Sequence, residues 1–214
     1  MARATVAVVL SLVAGAVLAA PAVARPGRTG PAVGDERIVM HTNRGDLVIG
    51  LYDSVAPRHA TQIRRLVRLG VYDSTTIFRV EPGFVAQVCD APNRKKPMTP
   101  EQRKAIEPIP AEFSKTLIHR KGIVSMARED KDVNSARTSF SFMLGRASNL
   151  DRQYTIIGEI EWGQPTLDTI AREPLDYQSR PRTPVVIESA EVKTTAQIAE
   201  LRTAGKLRPT VRLP

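Results

Sequence analysis

With one cysteine, Cys89, among 214 residues, the chain cannot form an intrachain disulfide, and its fold must be held by a core alone. The three histidines, His41, His59 and His119, stand far apart, and neither a His-Glu-x-x-His nor a Cys-x-x-Cys spacing occurs, so no metal and no cofactor is implied. There is no Gly-x-Ser-x-Gly elbow and no phosphate-binding glycine-rich loop, which argues against a serine hydrolase of that type and against a nucleotide enzyme. Aromatic residues make up only 5% of the chain, too few to interleave with basic residues for stacking on bases. Lys and Arg are scattered and often flanked by acids, as in Arg128-Glu129-Asp130-Lys131-Asp132, so nucleic acid is not an expected partner despite a formal charge of +9.

What is present suits one domain. At 42% hydrophobic residues the chain can bury a single sizeable core. Residues 1–24 have the pattern of a secretory signal peptide: a basic start at Arg3, an apolar small-residue run, and Ala22-Val23-Ala24 ahead of the cleavage point. Cleavage there removes one charge, Arg3, from the +9 and leaves +8. The expected product is exported to a periplasm or the medium, a monomer with no stable membrane association. Residues 25–35, rich in Pro and Gly, form a flexible leader. The core then runs over 36–192, and 193–214 is an appended tail, in which Thr194 and Gln197 offer a capping box for a short helix through Arg202.

Within the core, Ile38, Met40 and Thr42 alternate with polar neighbours, Asn43-Arg44-Gly45-Asp46 turns, and Leu47, Ile49 and Leu51 alternate again, which predicts a β-hairpin. Pro57 opens a helix in which Ala60, Ile63, Leu66 and Val67 face inward and Arg64, Arg65 and Arg68 face solvent, up to Gly70. Five prolines between 92 and 110 mark a long excursion over 91–121, with at most a helical turn at 101–105. Short strands follow at 122–127, 138–144 and 154–160, a second helix at 165–171 and a closing strand at 184–192.

The stretch Phe78-Arg79-Val80-Glu81-Pro82-Gly83-Phe84-Val85-Ala86-Gln87 carries the chemistry. Residues two apart on a strand share a face, so Val85 and Gln87 point together, and the Pro82-Gly83 turn swings Arg79 alongside them. Such a face can hold a peptide. The stretch resembles the cyclophilin-type peptidyl-prolyl isomerases, as do Gly122-Ile123-Val124-Ser125-Met126-Ala127 and Leu150-Asp151-Arg152-Gln153-Tyr154-Thr155-Ile156-Ile157-Gly158, in that family's order. The resemblance implies a mainly β fold, a closed antiparallel barrel of about eight strands capped by two helices.

It also implies an isomerase that accelerates X-Pro rotation in exported, proline-containing polypeptides. Arg79 would be the catalytic donor, and Phe84, Val85, Gln87, Ala127, Ser139, Ser141, Leu150 and Tyr154 would bind the substrate. Ser125 is expected to be a structural strand residue and Asp151 to shape a turn. Several positions depart from the family: Phe78 stands for its His, Asn149 for its indole, Ser139 for its Gln and Ser141 for the second Phe of its Phe-Phe pair. In that register Phe140, Phe142 and Leu144 share the core face. Losing a buried Phe removes about 1.5–3 kcal/mol of apolar contact, so weaker proline binding, reduced activity and poor binding of cyclosporin are expected. The alternative is a non-catalytic proline-peptide binding module on the same barrel.

Overall fold

The computed structural model of the chain describes residues 30–89, 91 and 94–211. The expected signal segment, 1–24, lies outside the described residues, as does the leader up to residue 29.

Eight strands form the body: β1 (Glu36–Thr42), β2 (Gly45–Leu51), β3 (Thr75–Glu81), β4 (Val85–Val88), β5 (Ile123–Met126), β6 (Phe140–Met143), β7 (Ile156–Trp162) and β8 (Val185–Thr194). They close into a barrel in the order β1-β2-β7-β5-β6-β4-β3-β8, every neighbouring pair antiparallel, with β8 returning to β1. This is the expected architecture. Among the described residues it carries four α-helices rather than two: α1 (Pro57–Arg68), α2 (Pro100–Ala105), α3 (Gln164–Ile170) and α4 (Thr195–Thr203). No helix among the described residues is long and apolar enough to cross a membrane.

Inward residues of each strand meet in one core, where Ile38, Met40, Leu47, Ile49, Ile77, Val80, Ala86, Val88, Val124, Phe140 and Phe142 are all buried. Helix α1 adds Ala60, Ile63, Leu66 and Val67 to it. Arg64 departs from the sequence expectation. It is only 8% exposed, because its guanidinium makes a two-pronged ion pair with Asp53 (2.5 and 2.8 Å) rather than facing solvent. The start of α1 also depends on a distant residue. Its N-cap, Ala56, has no side-chain acceptor, and the Glu112 carboxylate takes that role, accepting from the backbone N–H groups of Arg58 and His59 (3.1 Å each) and lying 2.6 Å from His59 Nδ1.

The tail is not a loose appendage. Thr194 and Gln197 complete the capping box, and α4 lies across the outer face of the β1–β2 hairpin. There Val39 and Val48 are fully buried beneath Ile198, Leu201, Leu207 and Trp162, and with Val33 and Glu161 over Gly50 all seven residues of β2 are buried and not only alternate ones. Arg208 ties the end down: its backbone N–H and Nε donate to the Asp46 carboxylate (2.8 and 2.9 Å), which also lies 2.8 Å from His41 Nδ1.

This polar knot gives stability a pH dependence. The hydrogen bond to Asp46 raises the His41 pKa above 6.5, against the opposing pull of burial. Burial acts to raise Asp46, but hydrogen bonds from His41 and Arg208 outweigh it and lower its pKa. A raised histidine pKa contributes stability that is complete below about 6.5 and is lost as the pH rises through the folded-state value. Thermal unfolding of the protein is therefore expected to show the His41 contribution decline as the pH rises above about 6.5, and His41→Gln to lack that decline. Parallel curves for the two proteins between pH 6 and 8 would contradict it.

Candidate active site

Strands β3 and β4, joined by the tight turn at Pro82–Phe84, supply one side of a groove of about 250 Å³ on the barrel's outer surface. Gly83 makes the turn possible with φ +76°, and Phe84 N–H closes it on Glu81 O (2.9 Å). Arg79 pairs directly with Gln87, Gln87 with Ser141 on β6, and Ser141 with Ser125 on β5. Directly opposed residues share a face of the sheet, so a polar row of Arg79, Gln87, Ser141 and Ser125 runs across the groove floor. Apolar walls flank it: Phe84, Val85, Met143 and Leu150 cluster together, Leu150 being the last residue of a 3₁₀ turn (Ser148–Leu150).

The guanidinium of Arg79 is held on two edges. One Nη lies 3.3 Å from Gln87 Oε1, and the other pairs with the Glu81 carboxylate. Gln87 in turn donates through Nε2 to Ser139 Oγ (3.2 Å), which donates to Val88 O (2.9 Å), so the Gln87 amide oxygen is the end that faces Arg79. At the far rim the Arg128 guanidinium stacks 4.4 Å from the centre of the Tyr154 ring while donating to the carbonyls of Glu129 and Asp130 (2.8 Å each).

Of the nine residues that the sequence points to, eight line this groove together: Arg79, Phe84, Val85, Gln87, Ala127, Ser141, Leu150 and Tyr154. Ser139 lines an adjoining depression of about 310 Å³ with Gln87, Phe78 and Ala127, and reaches the groove through Gln87. Asn149 is exposed on the 3₁₀ turn. Sequence reasoning passed over Met126, Arg128, Asp130 and Met143, which also line the groove.

It also passed over His119. That ring is fully buried, with Nδ1 3.0 Å from Asp151 Oδ1 and Nε2 2.9 Å from Ser125 Oγ, and its backbone N–H donates to the same carboxylate oxygen (2.8 Å). Burial lowers the His119 pKa and so favours the neutral ring. Burial acts to raise Asp151, yet the His119 N–H and the Arg146 guanidinium hold it down at about 2. A neutral ring beside an ionised carboxylate carries its proton on Nδ1 and accepts from Ser125 at Nε2. The hydrogen bonds follow the order of a nucleophile–base relay, but Ser125 is 2% exposed, and the network acts as a strut tying the Leu150–Asp151 wall to β5. Among the described residues, no group of three or more His, Cys, Asp or Glu side chains is placed to hold a metal ion.

Nothing in this geometry requires a nucleophile. It offers a cationic donor, held by Gln87 and Glu81, at the edge of an apolar-walled groove. Residues 37–192 match the model of the family described as cyclophilin type peptidyl-prolyl cis-trans isomerase/CLD. The chain is 47% identical over 146 residues to the Arabidopsis thaliana protein named peptidyl-prolyl cis-trans isomerase CYP23, a match covering 67% of this chain and 64% of that protein. It is 33% identical over 144 residues to a Brucella suis protein named "Probable peptidyl-prolyl cis-trans isomerase", covering 64% of this chain and 72% of the relative. In structure it is similar to a Cryptosporidium parvum cyclophilin type peptidyl-prolyl cis-trans isomerase solved in the presence of the dipeptide Ala-Pro, with a TM-score of 0.66, 25% identity, and coverage of 74% of this chain and 99% of the other.

Proposed function

Because this chain belongs to the cyclophilin-type peptidyl-prolyl cis-trans isomerase family, we propose that its groove accelerates rotation about X-Pro bonds in proline-containing polypeptides. The observation that carries the proposal is the Arg79 guanidinium, held by Gln87 at the edge of a groove with apolar walls.

Rotation about a peptide bond faces about 18–20 kcal/mol because the nitrogen lone pair is delocalised into the carbonyl. At X-Pro both isomers are populated and exchange in tens to hundreds of seconds. A catalyst therefore has to bind the twisted amide better than either planar form. As the bond twists, the lone pair localises on the prolyl nitrogen and becomes an acceptor. A preplaced guanidinium N–H engages it only then, which lowers the barrier without covalent chemistry. Phe84, Val85, Met143 and Leu150 hold the ring, and Gln87 receives a backbone polar group of the substrate.

Ser141 sets the level of activity. It occupies a position on the groove floor where its own side chain offers no aromatic face, so the grip on proline is loose and the rate lower than an aromatic there would give. Exchange of an Ala-Pro peptide, followed by a protease-coupled assay or by NMR, is expected to exceed the uncatalysed rate. Ser141→Phe should raise kcat/KM several-fold, in line with about 1.5–3 kcal/mol of recoverable apolar contact, part of which is spent in repacking. Peptide binding without any acceleration would instead favour a non-catalytic binding module. The proposed setting is outside the cytoplasm, as a monomer, on the strength of the pattern in residues 1–24. The N-terminal residue of the recovered protein, Arg25 if the segment is cleaved and Met1 or Ala2 if it is not, decides the export.

A further inference from the structure

The ion pair between Arg79 and Glu81 is absorbed neither by the fold nor by the binding of a peptide. Both residues lie on β3, two apart and so on one face, and both side chains are more than a third exposed at the groove edge. An exposed arginine on a strand ordinarily samples many rotamers, and a pair this accessible adds little to stability. Here, however, the guanidinium has a fixed partner on each side. Gln87 Oε1 meets one Nη, and Gln87 is itself fixed through Ser139 and Val88 O; Glu81 takes the other Nη. Two anchors on different edges define the plane of a rigid fork, where Gln87 alone, at 3.3 Å, would leave it free to swing. The remaining N–H groups are then held in fixed directions within that plane.

We propose that Glu81 is a positioning residue for the isomerase reaction: its carboxylate locks the Arg79 guanidinium in the orientation from which it reaches the prolyl nitrogen. Glu81 pairs across the ladder with Val85 of the groove wall, so its own side chain acts beside the substrate and through Arg79. This rests on the reading of Arg79 as the donor. Loss of Glu81 should therefore act on the twisted state and not on ground-state binding, and appear in kcat with KM nearly untouched.

The experiment compares the full-length protein with Glu81→Ala, Glu81→Gln and Arg79→Ala, on the same Ala-Pro peptide, with folding monitored by thermal unfolding. Glu81→Ala is expected to lower kcat about tenfold, which converts to about 1.4 kcal/mol, with KM within about twofold of the parent and an unchanged Tm. Glu81→Gln, whose amide oxygen still accepts from the guanidinium, should recover most of the rate. A kcat in Glu81→Ala equal to the parent's overturns the proposal. So does a higher kcat, since the carboxylate would then be a competitor for the guanidinium, and so does a loss that merely tracks a lower Tm. If Arg79→Ala is inactive while Glu81→Ala matches the parent, the Glu81 inference alone fails. If Arg79→Ala is as active as the parent, the reading of Arg79 fails and the Glu81 inference with it.

Discussion

Arg79→Ala is expected to lower kcat/KM for an Ala-Pro peptide by about a hundredfold or more while leaving the fold intact. Removing one preorganised donor aimed at developing charge typically costs about 2.7–4 kcal/mol of transition-state stabilisation, and among the described residues the other arginine lining the groove, Arg128, is engaged with Tyr154 and two carbonyls at the far rim. Stability should scarcely move, since the Arg79 side chain is 36% exposed and its partners are at the surface. Arg79→Lys should recover little, because a point charge on a flexible stem cannot use both anchors as the planar fork does. An Arg79→Ala protein with parental kcat/KM would remove the basis for the isomerase reading.

Phe142→Ala should do the opposite kind of damage. Phe142 is fully buried, stands edge-on to Phe140 with ring centres 5.6 Å apart, and pairs with Ala86 on one side and Val124 on the other. Phe140 in turn touches Tyr72 at 5.7 Å, so the three rings form a continuous packed group. Truncating such a residue costs about 3–5 kcal/mol, a large part of the roughly 5–15 kcal/mol that holds a domain together. Urea unfolding should show a midpoint lowered accordingly, whereas Ser141→Ala, one residue away on the other face, should change the unfolding free energy by about 0.5 kcal/mol or less. A Phe142→Ala protein as stable as Ser141→Ala would mean that the strand presents its faces the other way round.

That one-residue distinction was legible in the sequence. Phe140, Phe142 and Leu144 can share a core only if Ser139 and Ser141 face outward, and periodicity two on a strand leaves no other choice once one face must be buried. The hairpin at 36–51, helix α1 and the capping box at Thr194 were legible for similar reasons, each being a local pattern with a local cause. Cys89 shows how far such reading goes. Its φ of +75° puts the backbone in the left-handed form that glycine adopts most easily, and nothing in the residue type announces that.

What escaped was non-local. Glu112 caps a helix whose N-cap lies 56 positions earlier in the chain, at Ala56. His119 bridges Ser125 and Asp151, and Arg64 turns inward to meet Asp53. Each is a single polar residue whose partner is set by the folded path, and no period or spacing announces it. The tail failed to show itself for the same reason. Helix α4 has almost no apolar stripe of its own, and what it covers, Val39 and Val48, looks from the sequence like the exposed face of an ordinary hairpin.

Strand β8 pairs with β1 on one side and β3 on the other, with Met40 meeting Ala190, 150 positions later. As the polypeptide emerges from the ribosome, β1 and β3 therefore each carry a row of unpaired backbone donors and acceptors until residues 185–194 have been made. Open edges of this kind invite pairing with other chains, and closures this long are among the slower steps in folding. The nascent protein thus passes through the same exposed, partly folded stage as the clients proposed for it, and its barrel closes only with the eighth of its strands.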